Sequence, residues 1–197
     1  RFRSAGVNVN KVAITEWNYT AGSMPIEIEH SVGRALGEAY SLCELMNDGI
    51  SVFFHDMVRS DPTATFFCRL DYYPDNPIGC RYHWFPEGAA SSVVLPHANG
   101  KVVYNQNGIC ISRHNGYAYI TMINREPVSR ICKINVTDTR IDSTKKIEKR
   151  TFQAASPDCF AFDYYLTKTA IPAPLSIGAV QLESVPFSVV GYKIGLK

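Results

Sequence analysis

The chain has no apolar run near the roughly 20 residues that a helix needs to cross a bilayer, and none of its cysteines forms a C-x-x-C pair. The first absence leaves no candidate membrane-spanning helix. The second, with no paired Cys/His spacing elsewhere, removes the usual zinc and dithiol patterns, so neither a metal nor another cofactor is expected. Charge of one sign is also scarce. A net charge of +2 is too small to mark a nucleic-acid or anionic-membrane surface. The start, RFRSAGVNVN, lacks both an initiator Met and a charged-then-apolar leader. It reads as the start of a mature or cleaved product, or of part of a longer one.

What is present begins with Lys11–Asn18, KVAITEWN. Val12, Ala13 and Ile14 form a short unbroken apolar run, which suits a strand buried on both faces. A long amphipathic segment follows. Ser23–Pro25 opens it, since proline suits a first helical turn. Ile28, Val32, Ala35, Leu36, Ala39, Leu42, Cys43 and Met46 then recur at three- and four-residue steps and give one apolar face. Asn47-Asp48-Gly49 ends the helix, and Ile50, Val52, Phe53 and Phe54 make a second buried strand ending at His55 and Asp56. Strand, helix, strand is a βαβ unit, and it places Glu16 at the carboxyl end of a parallel strand. Active sites of α/β barrels and open α/β sheets lie at that end.

Ala64–Asp71 and Gly79–Tyr82 read as a hairpin around Pro74–Pro77, with Cys68 and Cys80 placed to close it by a disulfide. Tyr72, Tyr73, Tyr82, Trp84 and Phe85 offer an aromatic rim, or cover for that hairpin. A second helix is expected over Trp84–Ala98, with Ala89, Ala90, Val93 and Val94 inward and Pro96 disrupting its end. From Lys101 the pattern changes to short β-branched or aromatic runs between turns: Lys101–Tyr104, Ile109–Arg113, Tyr117–Asn124, Arg130–Val136, Thr151–Gln153, Phe160–Thr167, Ala179–Glu183 and Phe187–Ile194. Asn115-Gly116 is a hairpin signal. The basic run Lys145–Arg150 is expected to be a solvated hairpin. Many short strands without helices indicate an antiparallel β-sandwich. The fold class is therefore α/β plus all-β, with residues 1–100 forming the α/β piece and 101–197 the sandwich. Two parallel strands cannot bury their own faces, so the α/β piece needs partners.

This order of elements resembles the C-terminal part of clan A glycoside hydrolases, which join a (β/α)₈ barrel to a β-sandwich. The β-xylosidase/α-L-iduronidase and α-L-arabinofuranosidase families are the nearest in pattern. Their seventh strand ends in a Glu-Trp-Asn type motif, matched by Ile14-Thr15-Glu16-Trp17-Asn18. Tyr119–Arg125 (YITMINR) is similar to their sandwich strand ending in Asn-Arg, and Val185–Val190 (VPFSVV) to their closing strand. The resemblance implies that residues 1–100 are the last two strands of the barrel with their helices. It implies that Glu16 is the carboxylate nucleophile of a retaining glycosidase, with Trp17, Asn18, Phe54 and His55 lining the sugar site. It also implies a carbohydrate substrate, a secreted or otherwise extracellular (or lysosomal or virion-surface) setting, and a separate N-terminal chain of the same precursor that completes the barrel. Retaining chemistry needs two carboxyls about 5–5.5 Å apart. The families carry the second in an Asn-Glu pair on the fourth strand, and no Asn-Glu dipeptide occurs here. Asp56 is a weak substitute. A non-catalytic structural or glycan-binding subunit of an extracellular or virion assembly is the alternative. The sequons Asn18-Tyr19-Thr20 and Asn135-Val136-Thr137 fit a secreted glycoprotein, though a glycan at the first would obstruct the site.

Overall fold

The computed structural model describes residues 13–14, 25, 28, 30–47, 51–52, 58–59, 67–69, 82–135, 141–160, 163–173 and 179–197. Strand β1 (Ala13–Ile14) pairs in parallel with β2 (Ser51–Val52), Ala13 facing Ser51 and Ile14 facing Val52. Helix α1 (Val32–Asn47) lies between them in the chain and contacts β2. The expected βαβ unit is thus present. Because β1 and β2 run the same way, α1 returns the chain, and its N-terminus lies at the end where the strands finish.

Helix α1 begins at Val32, later than the apolar periodicity alone indicates. Tertiary pairing sets this start. Ser31 bridges Phe160, and the first helical N–H groups, which have no intrahelical acceptor, donate to the 157–159 loop. Val32 N–H reaches the Cys159 carbonyl at 2.9 Å and Gly33 N–H the Pro157 carbonyl at 2.7 Å. The Ser31 hydroxyl accepts from Arg34 N–H at 3.2 Å, an N-cap contact.

Strand β3 (Val58–Arg59) runs parallel to β4 (Phe67–Arg69), and β4 pairs antiparallel with β5 (Tyr82–Trp84). The hairpin partner therefore lies slightly later than Gly79–Tyr82. Helix α2 (Pro86–Val94) follows, and a 3₁₀ segment (Leu95–Asn99) continues it. Pro86 occupies the first turn, and Pro96 falls where the α-helix has already tightened.

Six antiparallel strands then form an open sheet in the order β11-β10-β13-β8-β7-β6. These are β6 (Lys101–Gln106), β7 (Ile109–His114), β8 (Tyr117–Asn124), β10 (Ile147–Ala154), β11 (Tyr164–Ile171) and β13 (Ser188–Gly195). A two-stranded ribbon, β9 (Arg130–Asn135) with β12 (Ala179–Ser184), packs on one face. Asn115 and Gly116 both have positive φ, as do Asn107 and Gly108, so two Asn-Gly turns of the expected hairpin kind join β6, β7 and β8.

Alternation divides the sheet's side chains between two cores. Ile120, Met122, Ile147, Val190 and Ile194 face the ribbon residues Val180 and Leu182. Cys110, Ile123, Phe152, Ala154 and Val189 face α1 and α2, where they meet Leu36, Ala39, Leu42, Ala90, Val93 and Val94. This second core joins residues on both sides of position 100.

One expectation is corrected. Ile147–Arg150 of the basic run is not a hairpin but the first half of β10, an interior strand between β11 and β13. Ile147 is 1% exposed in the ribbon-side core, and Glu148 on the opposite face is flanked by Lys168 and Lys193. Only Glu148 gains counter-charges from the neighbouring strands; Lys149 lies over the Tyr192 ring at 5.7 Å and Arg150 stays exposed.

Candidate functional site

The carboxyl ends of β1 and β2 are where the sequence places the chemistry. Glu16, Trp17, Asn18, Phe54, His55 and Asp56 themselves lie outside the described residues. Along the chain, Glu16 and Phe54 each come two residues after the paired Ile14 and Val52.

The N-terminal turns of the two helices bring four polar side chains together. His30 Nδ1 lies 2.9 Å from Glu87 Oε1. An Arg34 guanidinium nitrogen lies 3.8 Å from the same oxygen, and another donates to Glu38 Oε1 at 3.3 Å. His30 and Glu38 are fully buried and Glu87 is 1% exposed. The His30 ring is stacked on Phe85 with centroids 3.6 Å apart and planes 8° from parallel. Phe85 is therefore core, not rim, while Trp84 remains partly exposed. Burial pushes the Glu87 carboxyl above its ordinary range, and His30 and Arg34 oppose that shift. The arrangement resists movement of either helix end, because a displaced partner would leave a buried charge uncompensated. It ties the two helix ends together; buried, it has no access to a substrate itself.

Sequence reasoning missed this cluster. A signal existed: Glu38 stands three residues after Ala35 and four before Leu42, inside the apolar stripe of α1. A charged residue there requires a partner from elsewhere.

A second polar cluster joins α1 to the sheet. His97, 1% exposed, has Nδ1 2.8 Å from Ser112 Oγ and Nε2 2.7 Å from Thr121 Oγ1. Cys110 Sγ lies 3.7 Å from His97 Nδ1. A hydrogen bond with Cys43 of α1, then the contact with His97, holds the Cys110 thiol below its usual range. The same Cys43–Cys110 hydrogen bond, with burial, pushes Cys43 up. Cys43 is buried on the apolar face, as its position in the stripe implies. Among the described residues Cys43, Cys110, Cys132 and Cys159 are all free thiols. A Cys68–Cys80 disulfide involves Cys80, outside the described residues. No group of His, Cys, Asp and Glu among the described residues is arranged to hold a metal ion.

The motifs Tyr119–Arg125 and Val185–Val190 have structural roles. Asn124 is fully buried, and its amide donates to the carbonyls of Val128 at 2.7 Å and Val185 at 2.9 Å. Its Oδ1 accepts from Glu126 N–H at 3.1 Å. Arg125 stacks over the Tyr40 ring of α1 at 5.1 Å. Ser188 Oγ donates to the Val185 carbonyl at 2.6 Å. The Asn-Arg pair thus fastens the β8–β9 turn to the β12–β13 turn and the sheet to the helix.

The same succession of elements recurs in solved glycoside hydrolases. The fold is that of their C-terminal portion. A family 30 endoxylanase from Clostridium papyrosolvens superposes over 98% of this chain and 44% of its own, with a TM-score of 0.59 and 11% identity. An arabinose-bound family 51 α-L-arabinofuranosidase covers 85% of this chain and 28% of its own, with a TM-score of 0.61 and 13% identity. A family 86 β-porphyranase from the human gut bacterium Bacteroides plebeius covers 100% of this chain and 36% of its own, with a TM-score of 0.57 and 14% identity. The chain therefore spans less than half the length of each of these enzymes. No protein-family model and no curated protein sequence matches it.

Proposed function

We propose that the chain is the C-terminal portion of a secreted, retaining glycoside hydrolase, with Glu16 as nucleophile. One observation carries this reading: β1 and β2 pair in parallel around α1, ahead of a six-stranded sheet, as in the C-terminal portion of glycoside hydrolases. In this reading Glu16 attacks the anomeric carbon, and a general acid on the N-terminal portion protonates the leaving oxygen and then activates water. Trp17 offers an indole face to a sugar ring, and Asn18 an amide to its hydroxyls. Phe54 and His55, past the neighbouring strand, line the same cleft. The N-terminal portion comes from the same precursor and supplies the remaining barrel strands. The buried His30–Glu87–Arg34–Glu38 cluster fastens the N-terminal ends of α1 and α2 to each other.

Co-expression with the N-terminal portion and assay on aryl glycosides tests the reading. Glu16→Gln is expected to lower kcat at least about 10³-fold while the two portions still associate. Retained turnover overturns the nucleophile role.

The missing Asn-Glu pair favours a second reading, a non-catalytic structural or glycan-binding subunit of an extracellular or virion assembly. A precursor with no strand ending in Asn-Glu, and no hydrolysis by the assembled protein, would select it.

A further inference from the structure

The helix-side face of the six-stranded sheet is not covered by α1 and α2 along its whole length. Past Val93 the 3₁₀ segment crosses above the strands, and a half-open cavity of about 250 Å³ lies between them. Its floor is built by pairing. Glu148 of β10, Lys193 of β13 and Tyr119 of β8 stand opposite one another in one row. Arg150, Gly191 and Thr121 form the adjacent row on the same strands. Pro96 and Asn99 form the opposite wall. Gly191 carries no side chain, and a Cβ there would meet Val93 Cγ1 at 2.7 Å.

The charges at this cavity do not balance. Arg150 stands directly opposite Lys168 of β11, and like charges in that relation repel. The one carboxylate present, Glu148, is engaged by two lysines, Lys168 Nζ at 3.0 Å and Lys193 Nζ at 3.3 Å. Those contacts hold its carboxyl below the ordinary range, Lys168 most strongly. Arg150 has no ion pair among the described residues. Two lysines thus share the one carboxylate, and the unpaired charge lies on Arg150, an exposed planar guanidinium suited to a forked anion. Beside it are an aromatic ring, Tyr119, and the neutral polar groups of Thr121 and Asn99. The volume is below that of sites for drug-sized ligands and suits one small ring.

We propose that this cavity is a binding site for an acidic sugar residue, whose carboxylate pairs with Arg150 and whose ring lies against Tyr119. The anionic part rests on the charge surplus. The sugar part rests on the glycoside-hydrolase reading above. The site is separate from Glu16 and needs no catalytic step.

Amide-resolved NMR titration of the full chain tests it, with D-glucuronate, D-glucose and inorganic phosphate as probes. Glucuronate is expected to shift the amides of Thr121, Arg150 and Gly191 saturably, with glucose at least about tenfold weaker. Arg150→Ala is expected to weaken glucuronate by about tenfold or more, with the spectrum otherwise unchanged. Glu16→Gln is expected to leave binding unaltered, so loss of the nucleophile reading and loss of this site are separable. No saturable shift, equal binding of glucose, or full retention by Arg150→Ala overturns the proposal. Phosphate binding as tightly as glucuronate assigns the cavity to small anions and overturns the sugar.

Discussion

Nδ1 of His30 lies 2.9 Å from Oε1 of Glu87, and each side chain is 1% exposed. The two residues are 57 positions apart in the chain and meet only because α1 and α2 pack N-terminus beside N-terminus. Burial raises the Glu87 carboxyl above its ordinary 4.5. The unfolded chain then loses this proton at lower pH than the folded one, so Glu87 lowers stability as pH rises from about 4.5 through its folded value. Glu87→Gln removes that titration. The urea midpoint of the wild type is expected to fall relative to Glu87→Gln as pH rises above 4.5. A pH-independent difference between the two would mean that Glu87 ionises as freely as in the unfolded chain.

Glu148 has the opposite sign. Lys168 and Lys193 hold its carboxyl below 4.5. Its contribution is present above 4.5 and is lost as pH falls through the folded value. Urea unfolding of wild type and Glu148→Gln at pH 7 and pH 3.5 reads this directly. The gap between them is expected at pH 7 and should narrow at pH 3.5.

Gly191 lies where β13 passes under α2. A Cβ there would meet Val93 Cγ1 at 2.7 Å and the Val93 carbonyl oxygen at 3.3 Å. Gly191→Ala is expected to cost about 1–3 kcal/mol by overpacking, measured as a lower urea midpoint. Val93→Ala in the same chain should restore part of that loss, since it removes the closer atom.

His97 satisfies two buried hydroxyls, Ser112 Oγ and Thr121 Oγ1. His97→Ala leaves both without that partner and opens a void, so a loss of about 3 kcal/mol is expected. Combining it with Ser112→Ala and Thr121→Val should cost much less than the sum of the separate changes, because the stranded hydroxyls are gone. Additive losses would show that the three groups act independently.

Much of this architecture was legible in the chain. Tyr117–Asn124 is β8 to the residue, and Ala179–Glu183 falls one residue short of β12. Asn115-Gly116 adopts the left-handed pair its composition favours. The strand–helix–strand order around α1 was legible too, because a three- to four-residue apolar repeat between two short apolar runs has few other solutions. One reading failed. Ile147–Arg150 read as solvated because four of the six residues in KKIEKR are Lys or Arg; strand alternation buries Ile147 and leaves Arg150 exposed, so the run still forms half of an interior strand. Phe85, which the sequence offered as rim or as cover, is buried against His30.

By itself the sequence determined what local sterics and periodicity control: where strands alternate, where Asn-Gly turns reverse the chain, and which stripe of α1 is apolar. Only the tertiary structure decided which polar side chains are buried together. His30 with Glu87 and His97 with Thr121 are pairs separated by many residues. Their energies depend on solvent exclusion and counter-charges brought from distant elements, and no local pattern encodes those.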